Sequence, residues 1–394
     1  MLSTPTTTLT IGVDAHKHIH VALALNEAGT ILGHWQGPNS PDGWSNLRCW
    51  ATTLAAASQF KSQSHCQCCQ WGIEGAWNYG RGLAQYLVNT GETVYEINPR
   101  WTAQRRGRNR KPGKSDRLDA YAVAQLVREE GSELPRVTAD DPSSVLDLLV
   151  REREDALAEA TRLCNQLHQL LLALDPEYKQ HLPGLRTRCG LQALADYTTS
   201  STGSTNELNQ QRAASVRRLG ARLRLALDDA AVLAKQVRTL TREHYTPLTE
   251  ICGVELLTAG ALAGILGPDR RFANEAQLAQ HAGVAPLEVS SAGRVHHRLN
   301  RGGNRRLNSI LHRIAVTQSC YSPQAQLYLA RRQAEGKTGR EARRTLKRYL
   351  VRAVWRAWHK CPQPGMRSGA SAGSAPMVGK SEPSAEAEEI TQVA

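Results

Sequence analysis

Apolar and polar residues alternate over short spans in the first third of the chain. TLTIGVD (8–14), HVALALN (20–26) and TILGHWQ (30–36) are three β-like runs in close succession, separated by polar residues or Gly. WGIEG (71–75) and ETVYEIN (92–98) are two more. The spans around 43–57 and 80–89 read as helices. So does SDRLDAYAVAQLVRE (115–129), with Ser115 as N-cap and Asp116 in the first turn. The order βββαβαβα predicts a meander that turns into crossover units, hence an α/β domain with a mixed sheet flanked by helices.

The period changes after residue 143. Leu146, Leu149, Arg153, Ala156, Ala160, Leu163, Leu167, Leu170 and Leu174 follow one another in steps of three and four. Val216, Leu219, Leu223, Ala226, Ala230, Leu233, Val237 and Leu240 do the same. This predicts two heptad-patterned helices, either a hairpin that packs on itself or a dimerisation coiled coil. The stretch 175–206, with Pro176, Pro183, several Gly and a Ser/Thr-rich patch, reads as a loop or flexible insertion. Residues 246–360 read as a compact, mostly helical, basic module. The remainder, 361–394, is rich in Gly, Ser, Ala, Pro and Glu without periodicity and is expected to be a disordered tail.

Composition sharpens this picture. The 394 residues carry a net charge of +13, which favours a polyanionic partner, nucleic acid first among them. No run of about 18 apolar residues exists, so no membrane span is expected. The opening MLSTPTTTLTIGVD lacks a secretory pattern. Nine cysteines, an odd number in a long chain, argue for reduced thiols and a cytoplasmic location.

Four carboxylates stand out by position. Asp14 ends the first strand, Glu74 ends a later one, and Asp116 and Asp119 sit one helical turn apart. Such acids repel one another unless a cation neutralises them, and hard oxygen ligands suit Mg²⁺ or Mn²⁺. They follow a cationic run: from Arg100 to Arg117 there are eight cations and one acid. Arg100, Arg105, Arg106, Arg108, Arg110, Lys111 and Lys114 are therefore candidates for a phosphate-binding groove beside a metal site.

The ordered series IGVDAHK, GIEGAWNYG, INPR, KSDRLDA, then LTEICGVELLTAGALAGILG, RRFANEAQLAQHAGVAP, SSAG and LNRGGNRRLN resembles the insertion-sequence-110 family of DEDD transposases over roughly residues 8–360. The resemblance implies an RNase-H-like (RuvC-like) α/β catalytic domain over 1–135. A coiled-coil helical region (136–245) for dimerisation and a mostly helical C-terminal transposase domain (246–360) carrying a serine would follow. It implies that Asp14, Glu74, Asp116 and Asp119 are the catalytic, metal-binding tetrad. It also implies a serine nucleophile at Ser291, with Ser290 its neighbour, and recombination of DNA guided by a non-coding bridge RNA. A homodimer, able to pair into a tetramer on DNA, is the expected assembly.

The segment after the serine, RVHHRLNRGGNRRLNSILHR (294–313), places Arg294, Arg298, Arg301, Arg305 and Arg306 around a Gly-Gly turn before a helix, which suits phosphate binding. Residues 331–360 add eleven cations against two acids, with Leu346, Leu350, Val354 and Trp358 on the expected core face. ICGVELLTAGALAGILG (251–267) is similar to a helix–hairpin–helix but lacks the Pro-Gly-x-Gly turn, so a structural turn is expected there. His16, beside Asp14, reads as a surface histidine or a DNA contact. His65, Cys66, Cys68 and Cys69 match no four-ligand zinc spacing. A RuvC-like endonuclease with water as nucleophile, a degenerate nucleic-acid-binding scaffold and a sugar-kinase-like ATPase are the competing readings.

Overall fold

The computed structural model describes residues 9–59, 69–106, 115–198, 207–268, 271–288, 297–298, 300 and 302–362. Two compact units divide the chain. The first comprises residues 1–141, 250–253 and 266–394, and the second 142–249 and 254–265.

The first unit contains a five-stranded sheet. β1 (Leu9–Ala15), β2 (Ile19–Leu25) and β3 (Ile31–Pro38) form an antiparallel meander. After α1 (Pro41–Gln59), β4 (Cys69–Glu74) pairs parallel with β1. After α2 (Arg81–Asn89), β5 (Thr93–Ile97) pairs parallel with β4. The spatial order is β3-β2-β1-β4-β5. α3 (Pro99–Arg106) and α4 (Asp116–Glu130) complete this region. The five strand-like runs and the intervening helices thus form where the sequence pattern predicts them, and the sheet is mixed as expected.

The sheet is covered on both faces, which explains why β1 is buried along nearly its whole length. On one face Ile11, Val13, Trp71 and Ile73 pack with Leu47, Leu83 and Leu87 from α1 and α2. On the other, Val21, Leu23 and Leu25 pack with Ala120 and Ala124 of α4. α4 crosses β1 so closely that a Cβ at Gly12 would lie 2.2 Å from the Ala120 carbonyl oxygen. At Gly72 a Cβ would lie 2.4 Å from Val127 Cγ2. These two glycines let the helix rest on the strands. Ser115 caps α4 by accepting a hydrogen bond from the Leu118 amide.

The same unit contains a helical module: α10 (Glu275–His281), a two-stranded ribbon of β6 (Leu287–Glu288) and β7 (His297–Arg298), α11 (Arg305–Tyr321), α12 (Pro323–Ala334) and α13 (Gly339–His359). A capping box between Thr338 and Glu341 starts α13. Leu346, Leu350, Val354 and Trp358 are buried, as the helical spacing predicts, and Trp358 Nε1 donates to the Gly267 carbonyl (3.0 Å).

In the second unit, α5 (Pro142–Leu174) and α8 (Glu207–His244) are the two heptad-patterned helices, and they pack on each other. The expectation of a loop or flexible insertion between them needs correction. α6 (Tyr178–His181) and α7 (Arg188–Ala195) fold onto the pair, burying Tyr178, Leu185 and Leu194 among Leu163, Leu167, Leu171 and Leu223. Pro and Gly there break the long helix without releasing the segment, because the leucines between them still find a core. Residues 199–206 lie outside the described residues. α9 (Leu256–Leu266) belongs with this hairpin over most of its length: its Gly260 faces Thr241 and Val237.

The described cysteines, Cys69 at the start of β4 among them, are free thiols. Cys66 and Cys68, with His65, lie outside the described residues, as does the tail from 363. No helix among the described residues is long and apolar enough to cross a membrane.

Candidate metal centre and nucleic-acid cleft

The parallel register of β1 and β4 pairs Asp14 with Glu74. Each lies two residues beyond a glycine under α4, Gly12 and Gly72 respectively, and so points to the helix side of the sheet. α4 begins there, bringing Asp116 and Asp119 on its first turn. Asp14 and Asp119 are buried, and the Asp116 side chain is half-exposed.

Electrostatics register the convergence. The Asp14 carboxyl is pushed up from its ordinary 3.8 to about 6, chiefly by burial. His16 opposes the rise, and the negative charges of Glu74, Asp119 and Asp116 add to it. The four acids that the sequence scatters over a hundred positions therefore share one electrostatic neighbourhood.

Two further side chains belong to this place. His16 Nε2 lies 3.2 Å from Asp14 Oδ2 and 3.5 Å from Asp116 Oδ1. Asp14, His16 and Asp116 together present donor atoms close enough to hold one metal ion. Buried Thr102, on α3, has its hydroxyl 2.8 Å from Glu74 Oε2 and 2.9 Å from the Pro99 carbonyl, so its one proton has the carboxylate as its charged acceptor. It fixes one oxygen of Glu74 and leaves the other for a ligand. Carboxylate oxygens with one imidazole fit a small divalent cation, and an uncompensated cluster of acids does not otherwise suit a buried setting. Sequence reading missed Thr102 because it stands just past the INPR motif; for His16 it offered a surface position or a DNA contact, and the side chain is indeed partly exposed, with Nε2 turned to the acids.

The helical module carries the second feature. A cleft of about 780 Å³ is lined by Arg100, Arg305, Arg340, Arg343, Arg344, Lys347 and His312, with no acidic residue among its described walls. Lys347 is buried and donates to Asn308 Oδ1 (2.8 Å), while Asn308 in turn donates to the Ala282 carbonyl (2.8 Å). Burial, with the charge of Arg344, lowers the Lys347 ammonium from its ordinary value. Asn98, between β5 and α3, donates to the Gly302 carbonyl (3.3 Å), which ties the Gly-Gly turn to the end of the sheet.

The remaining candidates divide. Arg105 faces Glu129 and Glu130 of α4. Arg306 lies in the first turn of α11 beside Arg305, while Arg106 and Arg298 lie in α3 and β7. Ser290, Ser291, Arg108, Arg110, Lys111, Lys114, Arg294 and Arg301 lie outside the described residues.

The cleft yields a direct expectation. Replacing both Arg343 and Arg344 with alanine should weaken nucleic-acid binding and flatten the slope of log K against log salt by up to about 2, roughly one per lost phosphate contact. Fluorescence anisotropy between about 50 and 200 mM salt reads this slope. An unchanged slope would remove the cleft from the binding surface.

One more contact spans the sheet and the helical module. Arg271, buried between α9 and α10, donates to Glu96 Oε2 of β5 (2.8 Å). Its guanidinium stands 5.1 Å from the Trp77 ring and 5.3 Å from Phe272. No spacing in the sequence signals this contact between residues 175 positions apart.

Comparison with known proteins places these features. Residues 11–176 match the IS110 DEDD family described as Transposase. Residues 245–330 match the Transposase IS116/IS110/IS902 family. The chain is similar to the insertion element IS110 uncharacterized 43.6 kDa protein of Streptomyces coelicolor, at 26% identity over 64% of this chain and 73% of that one. It is also similar to the insertion element IS900 uncharacterized 42 kDa protein of Mycobacterium paratuberculosis, at 25% identity over 87% of this chain and 94% of that one. A third relative is the insertion element IS116 uncharacterized 44.8 kDa protein of Streptomyces clavuligerus, at 22% identity over 88% and 93%. With the four acids in the first matched region, and the second reaching into a helical module whose cleft it shares with α13, the chain belongs to the IS110 family of transposases.

Proposed function

We propose that this transposase is a DNA recombinase with an RNase-H-like (RuvC-like) catalytic domain, which excises and inserts its own element by strand transfer through Ser291. The observation that carries the reading is the meeting of Asp14, Glu74, Asp116 and Asp119 at the ends of β1 and β4 and the start of α4. A divalent cation, Mg²⁺ or Mn²⁺, bound there would supply charge neutralisation at the scissile phosphate. Asp14 and Asp116, whose carboxylates stand together at the end of β1 and the start of α4, would hold it, with Glu74 and Asp119 beside them. Thr102 would keep Glu74 in one rotamer, and the half-exposed Asp116 would leave the cation open to the substrate phosphate.

The Ser291 oxygen would bond to phosphorus as the bond to the leaving deoxyribose oxygen breaks, with the serine proton lost and the leaving oxygen protonated. The resulting phosphoserine ester keeps the bond energy for rejoining. The cleft of Arg100, Arg305, Arg343 and Arg344 would hold phosphates of DNA or of a non-coding guide RNA. If pairing with that RNA supplies target choice, the protein reads backbone and shape. The α5–α8 hairpin would supply a coiled-coil dimer contact, since Leu172, Leu225 and Val232 remain exposed on it. The element would act in the cytoplasm, on the nucleoid.

The test is recombination of the cognate element in cells, combined with trapping of protein–DNA adducts on denaturing gels. Wild type should give an adduct, and Ser291→Ala should give neither adduct nor recombination while still binding DNA. Metal-dependent cleavage by Ser291→Ala that leaves free ends would replace this reading with a water-using endonuclease.

A further inference from the structure

His16 stands one residue beyond the end of β1, where the chain turns back into β2 through a hydrogen bond from its amide to the Ile19 carbonyl (3.0 Å). That turn carries the imidazole over the acids. Nε2 is enclosed and makes no hydrogen bond among the described residues, although two carboxylate oxygens lie 3.2 and 3.5 Å away. An N–H aimed at either oxygen would form a strong charge-assisted bond at such a distance. The ring nitrogen instead aims along neither line.

The spacing has a simple geometric counterpart. Neighbouring ligands of a six-coordinate cation at about 2.1 Å stand about 3.0 Å apart. The separations of Nε2 from Asp14 Oδ2 and Asp116 Oδ1 are close to that edge length, and the three donors share one neighbourhood. We propose that His16 is a nitrogen ligand of the cation held by Asp14 and Asp116, and that it biases this site toward Mn²⁺ over Mg²⁺. The inference rests on the metal centre proposed above and adds to it the cation preference.

The chemistry is a matter of donor type. Mg²⁺ sheds water reluctantly and favours oxygen, so an imidazole adds little to its binding. A first-row transition cation gains from a nitrogen donor. An all-carboxylate site would show little such preference, and one with an imidazole should show it clearly.

The experiment uses the full-length protein with Mn²⁺ and Mg²⁺ alone. Pulsed electron paramagnetic resonance of bound Mn²⁺ should show the ¹⁴N coupling of one coordinated imidazole. The coupling should change to that of ¹⁵N in histidine-labelled protein and vanish in His16→Ala. By calorimetry, Mn²⁺ affinity should fall about tenfold or more in His16→Ala, with a smaller change for Mg²⁺. If wild type binds Mn²⁺ without nitrogen coupling, and Asp14→Asn abolishes that binding, His16 is not a ligand and the metal centre stands without it. If Mn²⁺ does not bind saturably, or binds equally well to Asp14→Asn, the metal centre itself is wrong and His16 falls with it. The wild-type spectrum decides the first case even if the variant folds poorly.

Discussion

Asp14→Asn should abolish strand transfer, by on the order of a thousandfold or more, and at the same time make the metal-free protein more stable. The first effect follows from the proposed metal centre, since the substitution removes a carboxylate from the acids that would hold the cation, and such a cation is worth several kcal/mol to a phosphoryl-transfer transition state. The second follows from electrostatics. Burial chiefly, against the opposition of His16 and with the charges of Glu74, Asp119 and Asp116, raises the Asp14 carboxyl from 3.8 to about 6. A folded-state value above the unfolded one means that the native protein holds the proton more tightly. The Asp14 contribution to stability therefore falls as pH rises from about 4 to about 6, and above that range the ionised group costs on the order of 3 kcal/mol. Asparagine keeps the shape without the charge, so Tm in a chelating buffer at neutral pH should rise by a few degrees. Wild type should gain stability from added Mn²⁺ or Mg²⁺, and the variant should not. Thermal denaturation with and without metal, beside a recombination assay, gives both readouts. An Asp14→Asn protein that is less stable than wild type without metal, or that still recombines, would mean that the four acids are not a cation site.

That opposite movement of activity and stability is what marks a functional acid cluster. Strand β1 could have ended in a residue that costs nothing to bury. The sequence makes the anomaly visible: an apolar run closing on a carboxylate needs a reason, and IGVD and WGIE each present one. Their glycines were legible only as small residues. Their purpose emerges from α4 resting on Gly12 and Gly72, which sets its first turn over the strand ends. Alternation gave the strands, and capping chemistry gave the start of α4, because both signals are local. Thr102 against Glu74 and Asn98 against Gly302 are products of chain reversal and carry no local pattern. The stretch 175–198 misleads for the converse reason. Its Pro and Gly are strong local signals of a loop, but burial of Tyr178, Leu185 and Leu194 depends on a hairpin distant in sequence.

The same logic makes Arg271 the position where one substitution should damage the first unit most. Its guanidinium, 7% exposed, meets Glu96 of β5 at 2.8 Å. It stacks near Trp77 and Phe272, and its carbonyl accepts the Arg136 amide (3.0 Å). Burial works to raise the Glu96 carboxyl, but Arg271, by its charge and its hydrogen bond, outweighs it and holds the group below its ordinary value. Arg271→Ala strands that carboxylate and should cost about 3–5 kcal/mol, a large share of the roughly 5–15 kcal/mol typical of a folded domain. Arg271→Lys should fall between, since it keeps the charge but loses the planar stacking on Trp77. Changing both partners, as in Arg271→Met with Glu96→Gln, should cost less than Arg271→Ala, because no charge is left unpaired. The pH dependence should change as well. Burial, then the positive charge of Arg271, lowers His281 from 6.5 to about 4 despite Glu96. This histidine is therefore neutral in the fold, and its contribution to stability is lost as pH falls from 6.5 toward 4, opposite in sign to that of Asp14. Loss of the Arg271 charge should lift His281 back toward its ordinary value and shrink that part of the acid sensitivity. Urea unfolding at pH 7.5 and 5.5 measures both effects. A cost below about 1 kcal/mol for Arg271→Ala would show the pair to be no stronger than a surface ion pair. The sheet and the helical module would then be held together by apolar packing and by neutral contacts such as Asn98 to Gly302 and the Arg136 amide to the Arg271 carbonyl.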